Sequence, residues 1–107
     1  MMENTYELAT RLLQVTESLH QSAEAENWDA LPQLQQQRVQ LIHALENSSE
    51  PDMTQETLTA IRQLLIQSQL IERQALVIIT QQQEKISHEH NQLQQNQKAR
   101  KAYGSFS

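Results

Sequence analysis

The amino-acid sequence predicts an all-α protein, an antiparallel helical bundle of three main helices with a long third helix and a short fourth one at the C-terminus. Three observations carry that expectation. The 107 residues include one Gly and two Pro, too few for hairpin turns, which need residues that tolerate positive φ. Leu, Gln, Ala and Glu dominate the composition, and all four are good helix formers. Apolar residues recur at three- and four-residue steps, the period of a helix with one face turned inward. A chain of this length has room for a single domain with a modest core, here residues 1–107.

The first helix, about residues 4–25, opens at Asn4-Thr-Tyr-Glu7, which reads as a capping-box-like start. Tyr6, Ala9, Leu12, Leu13, Thr16, Leu19 and Ala23 form its apolar stripe, widened by Leu8 and Val15. The polar Glu24-Ala-Glu26-Asn27 segment ends it. Trp28 then plugs the joint to the second helix, about 29–46, with Asp29 as N-cap and Pro32 in the first turn, where amides lack intrahelical partners. Leu34, Leu41, Ile42 and Leu45 share one face of that helix. Asn47-Ser-Ser-Glu-Pro51 is a turn, and Asp52 or Thr54 can cap the third helix.

The third stretch has no Pro or Gly from Met53 to Lys101. A continuous helix of about 48 residues would be roughly 70 Å long, which two helices of roughly 30 Å cannot cover. The stretch must protrude, pair with another chain or fold back. Ser87-His-Glu-His-Asn91 holds weak helix formers and is the expected hinge, dividing helices at about 53–87 and 91–103. Between Leu64 and Ile79 large apolar residues wrap more than one face, a surplus that fits a core, a homodimer interface or a groove for an amphipathic helix. In the tail, Ala99, Ala102, Tyr103 and Phe106 make a short apolar face, and Lys98, Arg100 and Lys101 suit the negative end of a helix.

The same residues exclude several classes of function. There is no cysteine, hence no disulfide, thiolate metal site or cysteine nucleophile. No Gly-rich phosphate loop or nucleophile elbow is present, so no catalytic residue and no cofactor are expected. His88 and His90, two apart on a helix, point to different faces and are not expected to bind a metal. The net charge is −5, with ten acidic and two basic residues in 1–56 against three and six in 57–107. Such an acidic chain is a poor candidate for nucleic acid. Without a membrane-length apolar run or a signal-like N-terminus, a soluble cytoplasmic protein is expected.

Asn27-Trp28-Asp29 at the first joint, the long third helix and Ala102-Tyr103-Gly104 near the end together resemble the flagellar FliT family of type III export chaperones, over essentially the full length. The resemblance implies a cytoplasmic all-helical chaperone that binds the C-terminal helical segment of the filament-cap protein FliD and keeps it export-competent. It implies further contacts with the export ATPase FliI and with FliJ. In part of the family there is also a contact with the FlhC subunit of the FlhD-FlhC master regulator, which represses flagellar genes. It implies a groove on the third helix, with Leu65 at an apolar groove position and Leu76 where a lysine can be found elsewhere in the family. The expected partner-binding set is Leu58, Ile61, Leu65, Gln69, Glu72 and Leu76. The C-terminal helix, through Ala99, Tyr103 and Phe106, is expected to act as an autoinhibitory lid over that groove. The alternative is a structural helical protein, an obligate homodimer through the Leu64–Ile79 surface.

Overall fold

A computed structural model describes residues 4–48, 50 and 52–104, with side chains described as far as Gln94. Three helices follow one another: α1 (Thr5–Glu24), α2 (Leu31–Glu46) and α3 (Gln55–Gly104), with a 3-10 turn at Trp28–Ala30 between the first two. No strand occurs among the described residues. The chain divides into two units, Met1–Leu76 and Val77–Ser107.

The first unit contains α1, α2 and the start of α3. Helix α1 begins where Asn4 Oδ1 accepts the Glu7 amide at 2.8 Å, so the N-cap expected from sequence is in place. The Thr5 amide is held by Glu50 Oε1 at 2.8 Å, and the Thr5 hydroxyl donates to Ser48 Oγ. These bonds tie the α2–α3 connection to the start of α1. At its other end α1 closes with two reverse bonds, Asn27 N–H to Ser22 O at 2.8 Å and Glu26 N–H to Ala23 O at 3.1 Å. This is a Schellman motif with Glu26 at the position usually held by glycine, and its φ is 59°.

Helix α2 differs from expectation at its start. Asp29 lies inside the 3-10 turn, and α2 begins at Leu31 behind Ala30, which makes no side-chain cap bond. Pro32 accounts for the register. It sits within the first two helical positions, where its missing amide costs no intrahelical bond and its fixed φ is already helical. Trp28 is half-buried in this joint.

The core of the unit is a seam of small and large residues. On α1, Ala9, Leu12, Thr16, Leu19 and Ala23 are buried at alternating three- and four-residue steps. On α3, Ile61, Ser68 and Ala75 are buried at heptad spacing. Ala9, Thr16 and Ala23 on α1, and Ser68 and Ala75 on α3, are small side chains seven residues apart, a pattern that admits close backbone approach where large ones would hold helices apart. Thr16 and Ser68 bury their hydroxyls by donating to the carbonyls of Leu12 at 2.6 Å and Leu64 at 2.8 Å, which satisfies those donors within their own helices.

Helix α3 is capped by Thr54, whose Oγ1 accepts the Thr57 amide at 3.1 Å. It then runs to Gly104 without a break at Ser87–Asn91, so no separate fourth helix is set off from residue 91. Ser, His and Asn each weaken a helix by only tenths of a kcal/mol, roughly 0.7 at most. Without Pro or Gly there nothing interrupts the backbone ladder. Within the second unit His88 contacts Gln92 and His90 contacts Gln94 one turn on, while Ile86 and Leu93 are exposed.

Candidate functional site

The seam leaves an open, mostly apolar cleft of about 380 Å³ on one side of the first unit. Helix α1 contributes Leu12, and α2 contributes Arg38, Ile42, Leu45 and Glu46. From α3 come Leu65, Ser68, Gln69 and Glu72, one turn after another along a single face. A second groove of about 530 Å³ between α1 and α2 has a more polar lining, with Gln14, Gln37 and Gln40 around Leu8, Val15 and Leu41.

An ion pair between a buried arginine and a half-buried glutamate crosses the cleft. Arg38 is 3% exposed, and each part of its guanidinium is engaged. Nε donates to Thr16 Oγ1 at 3.0 Å, Nη1 to Gln35 Oε1 at 3.3 Å and Nη2 to Glu72 Oε2 at 2.6 Å. One side chain of α2 is thereby bonded to both α1 and α3. Removing a cation from water is costly unless it is paired and hydrogen-bonded, and here both conditions hold.

Three of the six groove residues expected from sequence, Leu65, Gln69 and Glu72, meet in this cleft. Ile61 does not: it is a buried core residue of the seam. Leu58 and Leu76 are 37% and 47% exposed and lie outside the cleft lining. On a 3.6-residue helix, a groove between two neighbours is only a few turns long, and positions at the ends of a stripe drift out of it. The side chains of Ala99, Tyr103 and Phe106 lie outside the described residues. Among the described residues no group of three or more His, Cys, Asp or Glu is placed to hold a metal.

The model of the flagellar protein FliT family matches residues 6–105. The chain belongs to the FliT family. This is a family of flagellar export chaperones, not of enzymes, and the match takes in all of α1 but its first residue and the whole of α2 and α3. No curated protein and no solved structure matches the chain. No helix among the described residues of this FliT-family chain is long and apolar enough to cross a membrane.

Arg38 is the residue that sequence reasoning missed. Its signal was present: Leu34, Arg38, Leu41 and Leu45 step by four, three and four along α2. Arg38 therefore occupies a core register position, which a list of apolar residues passes over.

Proposed function

We propose that this chain is a cytoplasmic export chaperone whose α2–α3 cleft binds the C-terminal amphipathic helix of the filament-cap protein FliD. Binding prevents premature assembly of the cap protein and delivers it to the export apparatus through FliI and FliJ. The observation that carries the reading is the meeting of Leu65, Gln69 and Glu72 with Ile42 and Leu45 in one open, mostly apolar cleft. A helix laid in such a groove gains about 1.5–3 kcal/mol for each large apolar side chain it buries. The same chaperone binds FlhC of the FlhD-FlhC regulator and represses flagellar genes, linking free chaperone to transcription.

The tail's part is a restraint. Ala99, Tyr103 and Phe106 are apolar residues at helical spacing and compete with the partner for the cleft. Calorimetry with the FliD C-terminal segment tests both claims. Leu65→Ser weakens binding at least about tenfold while far-UV circular dichroism is unchanged, and deletion of residues 92–107 tightens it. Unaltered affinity in Leu65→Ser rejects the cleft, and unaltered or weaker affinity in the deletion rejects the restraint.

A second reading, an obligate homodimer through Leu64–Ile79, is favoured by Ile66 and Leu70, which are 55% and 51% exposed on α3. It requires a dimer in the ultracentrifuge at micromolar concentration, and a monomer removes it.

A further inference from the structure

The charges around the cleft do not balance. Arg38 is the cation of the lining, and Glu46 and Glu72 are its two carboxylates. Arg38 is committed to Glu72 at 2.6 Å and anchored from behind by Thr16, so it does not serve Glu46. Beside Glu46 stands the exposed His43, whose Nδ1 lies 3.7 Å from Glu46 Oε2 and is charged only when protonated.

Glu46 is also the last residue of α2, where the terminal carbonyls already concentrate negative potential. A carboxylate at that end opposes the helix dipole. Cleft and helix end thus present two sources of negative potential at one place. The unit that contains them has eleven acidic and four basic residues over positions 1–76, a net −7, which steers cations toward it from a distance.

We infer that the cleft selects an amphipathic helix bearing a basic side chain beside its apolar face, and that this side chain seats between Glu46 and Glu72. The inference rests on the reading of the cleft as a docking groove and specifies the chemistry of its occupant. An apolar helix laid over Ile42, Leu45 and Leu65 excludes water from the lining. With no cation it leaves one carboxylate short of a partner, and an acidic flank adds repulsion. A Lys or Arg at that flank supplies the missing charge while its methylene stem extends the apolar contact.

Two synthetic amphipathic helical peptides with the same apolar face, one flanked by Lys and one by Glu, provide the test. Each is titrated into the full chain and followed by the amide resonances of Ile42, Leu45, Leu65 and Glu72. The Lys peptide is expected to bind at least about fivefold more tightly, with an advantage that shrinks as salt is raised and vanishes in Glu46→Lys. Glu46 is largely exposed, and a cation suits the end of α2, so that variant keeps its fold. Equal affinities, a preference for the Glu peptide, absence of shifts with either, or an advantage that survives Glu46→Lys each overturns the inference. The FliD segment titrated in parallel separates the two readings. If the Lys peptide seats in the cleft and the FliD segment does not, the partner is wrong and the charge preference stands. If the FliD segment binds equally well to wild type and Glu46→Lys, the charge preference is wrong and the docking groove stands.

Discussion

Glu72→Ala is the substitution that most directly probes how the first unit is held together. It leaves Arg38, 3% exposed, with the oxygens of Thr16 and Gln35 but no counter-charge. Breaking a buried pair from one side costs about 3–5 kcal/mol. The Glu72 side chain is 31% exposed, so water enters where the carboxylate was, and the cost falls to about 2 kcal/mol. A unit of 76 residues has a total stability of roughly 4–11 kcal/mol, so the loss is a sizeable fraction of the whole. Arg38→Met is milder. It keeps a long apolar stem, frees Glu72 to water, and leaves the Thr16 hydroxyl still donating to Leu12, for a cost of about 1 kcal/mol. Once the cation is gone, removing Glu72 costs little, so the double variant matches Arg38→Met. The cycle has a coupling of about 2 kcal/mol. Urea unfolding followed by Trp28 fluorescence and circular dichroism measures all four proteins. Additive losses, or a Glu72→Ala variant as stable as wild type, refute the claim that this pair bonds the three helices.

Two further outcomes concern the backbone and the seam. Glu26 holds φ at 59°, where a Cβ costs about 1 kcal/mol, so Glu26→Gly is expected to raise the melting temperature by about 4–8 °C. A lowered or unchanged midpoint counts against strain at that position. Ala9→Leu forces a large side chain into a fully buried seam position and is expected to lose about 1–3 kcal/mol by overpacking, whereas Ala44→Leu on the exposed part of α2 stays within about 0.5 kcal/mol. Equal effects at the two sites in urea unfolding would show that the seam is loosely packed.

The helices are readable because each rests on local chemistry. The Asn4 cap, the three-and-four stepping of Leu8 to Ala23 and the absence of Pro or Gly along α3 act within a few residues, and a few residues are what a sequence window sees. The start of α2 falls two residues later than its sequence suggests. Asp29 is a good cap in isolation, and the geometry of the Trp28–Ala30 turn overrides it. The hinge expected at Ser87–Asn91 rests on propensities of tenths of a kcal/mol, too weak to end a helix with an intact ladder.

The site is half-legible for a related reason. Leu65, Gln69 and Glu72 stand on one face by periodicity, and the structure assembles them with α2. Ile61, four residues before Leu65 on that helix, turns out to be core, because membership of core or groove depends on what lies opposite. Composition and periodicity alone determined the all-α class and the helices of the first unit, since backbone preference and amphipathic period belong to each segment. Only the tertiary structure decided that Arg38 is interior, that Thr16 and Ser68 are buried among the small residues of α1 and α3, and that two carboxylates share a cleft with one committed cation. Those facts join residues 22 and 34 positions apart in the chain, and burial, pairing and charge balance are properties of neighbours in space.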